Sequence, residues 1–212
     1  ARGPCHLSVA GEISTCGRVM NLSELSPVHQ TLMAYYRLLM ADEGGIPYRR
    51  KFNPIEIKTI LPKMVLIEHS APRKAVPRIV GSAVDEFLQA SYTGHNLYDL
   101  WDDAHGDVME AFYGTIMKHP CGGWTQRTVK THYGIVHSYD ILLLPFRNRD
   151  GDITLTMGTF AMQGAVKTEL RFGQPENVEL LTVNDQKYLD IGFGVPEPSA
   201  ERAEGAAGQA RV

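Results

Sequence analysis

The residues best suited to chemistry lie in the second half of the chain, where Cys121, His132, His137 and Asp140 occur within 20 positions. The chain has eight histidines and three cysteines. It has no Cys-x-x-Cys, His-x-x-x-His or His-Glu-x-x-His spacing, so a zinc site has little support. Alternation along a strand puts His137 and Tyr139 on one face and Asp140 on the other. A catalytic His137/Asp140 pair would therefore need a kink in the strand.

Cys121 stands in a Pro-Cys-Gly-Gly turn that follows a long helical pattern. A reactive thiol needs nearby positive charge to lower its pKa. The end of a helix carries partial negative charge instead, and this opposes a thiolate. A small α+β enzyme that uses Cys121, His137 and Asp140 is nevertheless one alternative for this sequence.

Length and composition are those of a soluble globular protein. The 212 residues suit one domain with extensions or two small ones. A formal charge of −3 gives no electrostatic support for a nucleic-acid partner. No apolar run approaches the roughly 20 residues of a membrane helix, so no membrane partner is expected. Without a secretory signal or a disulfide framework, we expect a cytoplasmic protein.

Helices and strands are predicted to alternate in the first half of the chain. A helix with one apolar stripe is predicted to begin at Ser26-Pro27 and to end at Gly44-Gly45. This helix either covers its own domain or pairs with a second subunit. Asn53-Pro54 begins a short helix over 55–61. Two strands follow, Met64–Glu68 and Arg78–Val84, as a hairpin across a turn at Ala71–Pro77. Two short helical segments come next, at Val84–Ala90 and Leu97–Trp101.

The second half opens with the clearest helix, Asp103–Lys118, which begins with acidic residues and ends at His119-Pro120. Three strands are predicted after it, over 123–131, 134–146 and 153–163. The hydrophobic alternation of the last strand shifts phase at Gly158, which predicts a β-bulge there.

Four segments are predicted along the chain. Residues 1–24 form a leader, either derived from an expression vector or disordered, since Met20 is a plausible natural start. Residues 25–165 form the domain. Residues 166–195 form an extension with short strands at Glu169–Phe172 and Val178–Thr182 and an element of undecided type at Asp185–Phe193. Residues 196–212 are small and polar, which is typical of a disordered tail.

A set of short motifs resembles a bacterial family of stand-alone PAS-like domains. The motifs are the Asn53-Pro54 helix start, Leu61-Pro62, the strand Arg78-Ile-Val-Gly81-Ser82, and Thr93-Gly94-x-x-Leu97-x-Asp99-Leu100. They fall between Leu25 and Gln163. The resemblance implies an α+β fold with a five-stranded antiparallel sheet and helices over one face. The N-terminal helix and the C-terminal extension would add to this core. Pro77 stands where the family often has an aromatic residue.

A cavity between the sheet and its small helices is the default ligand site of such a fold. The sequence also allows the same side chains simply to fill the core. The residues predicted to line the cavity are Phe87, Tyr92, Trp101, Met109, Phe112, Tyr113, Met117, Leu143, Leu155 and Met157.

Two coloured cofactors are weighed for such a cavity, and the sequence argues against both. Haem would need an axial histidine, for which His105 and His119 are candidates, but an acidic helix start suits a solvated His105. The Asn-Cys-Arg-Phe-Leu motif of flavin-linked relatives is absent from the sequence. The cofactor, if any, is unknown.

The resemblance implies a sensory or interaction module of bacterial signal transduction. It would bind a small ligand, a signalling protein such as a histidine kinase, or a second copy of itself, and it would have no output domain of its own. The alternatives are the small enzyme named above and a ligand-free dimerisation scaffold built on the Ser26–Ala41 helix.

Overall fold

The computed structural model describes residues 18–163 and 173–196. Within them lie seven strands and three α-helices, joined by short 3₁₀ turns. In chain order these are β1 (Arg18–Val19), α1 (Pro27–Glu43), β2 (Met64–Ala71), β3 (Lys74–Val80), α2 (Ser82–Leu88), α3 (Asp103–Lys118), β4 (Gly122–Lys130), β5 (Val136–Arg147), β6 (Ile153–Gln163) and β7 (Glu179–Leu189). The strands form one sheet in the order β1-β7-β4-β5-β6-β2-β3.

The predicted five-strand core is present as β4-β5-β6-β2-β3, with antiparallel pairing throughout. Two strands lie outside that prediction. β7 pairs antiparallel with β4 along nearly its whole length, and β1 pairs parallel with β7. The described part of the predicted extension therefore continues the same sheet.

The strands are buried on both faces because helices cover both. Alternate residues of each strand point to opposite faces. On one face, Leu66, Leu142 and Met157 pack beneath α1. On the other face, Ile67, Ile141 and Phe160 pack with α2 and α3. We call these the α1 face and the α3 face.

α1 forms where the sequence predicted it. Pro27 occupies the first turn after Ser26, and Gly44 ends the helix in the left-handed conformation at φ 70°. Its apolar stripe, which includes Leu32, Tyr36 and Leu39, is buried against the sheet. In this chain the helix therefore covers its own domain.

The β2–β3 hairpin is longer and its turn is tighter than predicted. β2 extends to Ala71 and β3 begins at Lys74, so the Ala71–Pro77 turn is wrong. Only Pro72 and Arg73 connect the strands, and Arg73 adopts φ 52°. Arg73 pairs with Asp103 and Asp107 at the start of α3, contacts that the local sequence did not indicate. The predicted short helix over 55–61 is a pair of 3₁₀ turns, Pro54–Ile57 and Leu61–Lys63.

The bulge predicted at Gly158 is also wrong. Gly158 pairs in regular register with Leu143 of β5 and Val65 of β2. The hydrophobic phase shifts because the covering helices differ along the strand. Leu155 and Met157 face α1, whereas Phe160 faces α3. Glycine is required at 158 because a Cβ there would lie 2.3 Å from the Leu142 carbonyl oxygen.

The predicted leader is wrong for its last residues. Met20 is buried and its amide donates a hydrogen bond to the Tyr188 carbonyl at 2.9 Å. The strand predicted at Glu169–Phe172, residues 1–17 of the leader and residues 197–212 of the tail lie outside the described residues. None of the described helices has both the length and the apolarity that a membrane span requires.

Candidate functional site

A cavity of about 60 Å³ lies on the α3 face, between the sheet and the segment that runs from α2 to Trp101. Its lining is apolar apart from a few polar tips. The sheet contributes Val65, Ile67, Pro77, Val80, Arg127, Val129, Tyr139, Ile141, Phe160 and Leu180, and the remaining wall is Val84, Leu88, Tyr92, Leu97, Leu100, Trp101, Tyr113 and Val178.

Close backbone packing places α2 over the sheet. A Cβ at Gly81 would lie 2.3 Å from the Pro62 carbonyl oxygen, so only glycine fits. The Gly81 amide donates a hydrogen bond to the Met64 carbonyl at 2.8 Å. The Leu61-Pro62 and Gly81-Ser82 motifs therefore touch each other, and α2 begins directly after this contact.

The Thr93–Leu100 motif forms the next part of the wall. Gly94 adopts φ 86°, which favours glycine, and its amide binds the Pro77 carbonyl at 2.9 Å. The Asn96 side chain accepts from the Ala75 amide at 3.0 Å and donates to Asp99. These bonds tie the segment to β3, so that Leu97 and Leu100 face the cavity.

Of the ten residues predicted to line a cavity, three do so: Tyr92, Trp101 and Tyr113. Phe87, Met109, Phe112 and Leu143 are buried in the core of the same face without bordering this cavity. Met117 packs at the edge of that core and borders a surface depression instead.

Leu155 and Met157 were predicted on the wrong face. Both are buried in the α1-face core and cannot reach the cavity. The error follows from the bulge predicted at Gly158, because the alternation of β6 was assigned to one covered face only. Sequence reasoning also missed Val178 and Leu180, which reach the cavity because β7 joins the sheet. Strand alternation of Val178 and Leu180 was the available signal.

The one charged side chain lining the cavity is Arg127, and sequence reasoning missed it. Arg127 is 4% exposed, and its Nε and Nη2 make no hydrogen bond within the described residues. No carboxylate of those residues forms an ion pair with it. The guanidinium carbon lies 5.8 Å from the centre of the Trp101 ring. Its position in β4 gave a signal: Thr125, Arg127 and Val129 alternate toward one face.

Two phenols are the polar neighbours of this guanidinium. Tyr113 and Tyr139 lie beside it and border the same cavity. Burial raises the pKa of Tyr139, although Arg127 opposes that shift. Tyr139 is therefore a neutral phenol at pH 7 and supplies no counter-charge. The Tyr113 hydroxyl makes no hydrogen bond within the described residues.

The three residues of the enzyme alternative are not brought together. His137 stacks against Phe87 with ring centres 4.6 Å apart, on the α3 face. Asp140 points the other way and accepts a hydrogen bond from Gln126 at 3.1 Å. Cys121 precedes the opposite end of β4, eight residues before Val129, which pairs with His137, so the two lie about 26 Å apart along the strand at about 3.3 Å per residue. Burial raises the pKa of the Cys121 thiol to about 12, so it is not a thiolate at neutral pH.

The site does not fit haem or a cysteine-linked flavin. Neither histidine nor cysteine is among the residues that border the cavity. His105 contacts Asp102 at 2.9 Å at the start of α3, and His119 follows the end of that helix. A volume of about 60 Å³ is also far below the roughly 300–1,000 Å³ of sites for larger ligands. Across the described ranges, no group of three or more His, Cys, Asp or Glu side chains is placed to hold a metal ion.

A second concavity lies at the surface and collects four arginines. Arg49, Arg50, Arg78 and Arg149 border a depression of about 350 Å³. Arg50 is partly fixed by the ring of Tyr48, whose centre lies 4.1 Å from the guanidinium carbon.

Comparison with known proteins agrees with this fold. The sequence profile of a family described as PAS domain matches residues 25–161. The chain therefore belongs to the PAS domain family. None of the curated proteins matches this chain.

Solved structures similar to this chain are distant in sequence. The dark structure of the blue-light photoreceptor Aureochrome1 LOV is 13% identical, with TM-score 0.40, over 54% of this chain and 85% of its own. A PAS domain from Colwellia psychrerythraea is 9% identical, with TM-score 0.39, over 51% and 94%. An RNA-binding light-oxygen-voltage receptor is 16% identical, with TM-score 0.40, over 56% and 36%. The expectation that this chain has no nucleic-acid partner is not confirmed.

Proposed function

We propose that this PAS domain is a sensory module of bacterial signal transduction that takes a small ligand into the α3-face cavity. The observation that carries the proposal is the cavity itself, which sits where motifs shared with the PAS-like family meet. Leu97 and Leu100 line one side and Ile141 the other. Since protein interiors are usually close-packed, a cavity bordered by so many large side chains is a candidate binding site.

The size of the cavity limits the ligand. A volume of about 60 Å³ holds a few waters or a small organic molecule. Larger ligands require the segment from α2 to Trp101 to move. That segment consists of a short helix, a 3₁₀ turn and loops. We therefore expect it to be the part whose conformation changes when a ligand binds.

Filling the cavity tests the proposal. Val129 borders the cavity and is 5% exposed, whereas Val136, the first residue of β5, is 56% exposed. We expect Val129→Phe to abolish uptake of benzyl alcohol, measured by ¹H–¹⁵N NMR titration, and Val136→Phe to leave it unchanged. Native mass spectrometry of the purified protein would reveal a molecule that co-purifies with the wild type and is lost from Val129→Phe. Equal uptake by all three proteins would contradict the proposal.

The output is proposed to be contact with another protein, either a histidine kinase or a second copy of this chain. In support, Leu38 lies on the outer side of α1 with 69% of the residue exposed, whereas Leu32, Tyr36 and Leu39 of the same helix are buried. Leu38→Glu should weaken self-association measured by light scattering if α1 forms the contact. An unchanged molar mass would assign the contact to another surface.

A further inference from the structure

We infer that the ligand of this cavity is a small monocarboxylate held by Arg127, an inference that rests on the proposed function. Burying the charged side chain of Arg127 costs free energy. Arg127 stays protonated under all ordinary conditions and is almost fully buried. A buried charge without a partner is strongly unfavourable. The described structure offers no carboxylate to pair with it.

The free atoms of Arg127 define the shape of the missing partner. Nε and Nη2 form one edge of the planar guanidinium, and both lack a hydrogen-bond acceptor. Two parallel N–H groups on one edge match the two oxygens of a carboxylate. The Tyr113 hydroxyl lies beside the guanidinium and borders the same cavity without a hydrogen bond of ordinary geometry within the described residues, so it is a third donor.

The residues that line the cavity limit the net charge of the ligand and the polarity of the rest of the molecule. Arg127 is the one charged residue that borders the cavity. One guanidinium neutralises one negative charge, so a dianion such as a phosphate ester would be left with an unpaired buried charge. The apolar lining, which includes Val84 and Leu97 on the helical side and Ile141 on the sheet side, suits an apolar body. The ligand class is therefore a carboxylate head on a short apolar chain or ring.

The experiment compares matched anionic and neutral molecules on the full chain. Acetate, butyrate and benzoate are titrated against ethanol, butanol and benzyl alcohol at pH 7.5 and constant ionic strength, by ¹H–¹⁵N NMR and thermal shift. We expect at least one carboxylate to bind at least tenfold more tightly than its alcohol. Arg127→Met should abolish that preference. Arg78→Met, which alters an exposed arginine paired with Glu68, should behave as the wild type.

A second readout separates a ligand-binding arginine from a structural one. If Arg127 awaits an anion, Arg127→Met removes an unpaired buried charge and the empty protein should melt at a higher temperature than the wild type. Arg127→Lys keeps the positive charge but lacks the two parallel N–H groups that bind a carboxylate in bidentate fashion. This variant should therefore retain only a weakened preference for carboxylates. This variant serves if Arg127→Met does not fold.

The possible failures are distinguishable. Equal binding of alcohols and carboxylates by wild type and Arg127→Met would contradict the proposal that the ligand is a carboxylate, but not the proposal that the cavity binds a small ligand. A destabilised Arg127→Met with an unchanged carboxylate preference would show that Arg127 is structural. No binding of either series to the wild type would overturn both proposals.

Discussion

The α1 face and the α3 face are built from alternating residues of the same strands, yet they treat buried polar groups differently. On the α1 face the Tyr36 hydroxyl donates to the Pro145 carbonyl at 2.7 Å, and His29 Nδ1 contacts the Thr159 hydroxyl at 2.8 Å while His29 Nε2 makes no hydrogen bond within the described residues. On the α3 face the Tyr113 hydroxyl and two guanidinium nitrogens of Arg127 make no hydrogen bond within the described residues. A filled core stabilises a fold, whereas several unsatisfied donors around one cavity cost stability and suit a ligand. The difference assigns stability mainly to one face and binding to the other.

Acid should destabilise both faces through one buried histidine on each. His29 contacts Thr159 on the α1 face, and His69 contacts Thr156 on the α3 face. Burial lowers the pKa of each to about 4. Between pH 6.5 and 4 the unfolded chain binds more protons, so stability is fully present above pH 6.5 and is lost as pH falls toward 4. The loss is about 3 kcal/mol for each histidine.

Urea unfolding at pH 7 and pH 5 measures this effect. His29→Gln and His69→Gln should each flatten the pH dependence by a similar amount, and the double variant should remove most of it. If either variant retains the full wild-type slope, the corresponding histidine is not buried as a neutral ring.

Enlarging one of two adjacent residues should destabilise the α1 face more than the α3 face. Leu142 and Ile141 are almost fully buried on opposite faces of β5. Leu142→Phe inserts volume into a filled core and should cost about 1–3 kcal/mol. Ile141→Phe can extend into the cavity and should cost less than about 1 kcal/mol. Equal losses in free energy of unfolding would contradict the difference in packing.

Removing one hydroxyl from each face should give the smallest effect. Tyr36→Phe leaves the Pro145 carbonyl without its donor and should cost about 1 kcal/mol. Tyr113→Phe removes a hydroxyl that has no partner, so stability should stay within about 0.5 kcal/mol of wild type or rise. Chemical denaturation of the two variants decides the matter, and a larger loss in Tyr113→Phe would reverse the comparison.

Local signals in the sequence predicted the elements where they were strong. The acidic start and apolar stripe of α3 gave its bounds as observed, Asp103–Lys118. β6 was predicted over 153–163, as found. The Gly94 motif indicated the turn before the Leu97–Leu100 segment, because glycine tolerates its dihedral angle. The Gly81 motif was assigned to a strand over Arg78–Val84, which is wrong, because β3 ends at Val80 and α2 begins at Ser82.

The errors arose where a distant partner decides the outcome. The hydrophobic phase of β6 suggested a bulge, but the reason is that α1 covers one part of the strand and α3 the other. The arginine of the β2–β3 turn adopts a positive φ, and carboxylates of α3, 30 residues or more away, pair with it. Neither contact leaves a local pattern.

The sequence by itself determined the family and the order of the core elements, because those depend on helix caps, glycine turns and strand alternation within a few residues. Only the tertiary structure decided which face each strand residue occupies, that β7 closes one side of the cavity, and that Arg127 is buried without a counter-charge. Those features depend on which elements pack against each other. Strand pairing brings residues together over long stretches of chain, and only then do burial and hydrogen bonding become defined.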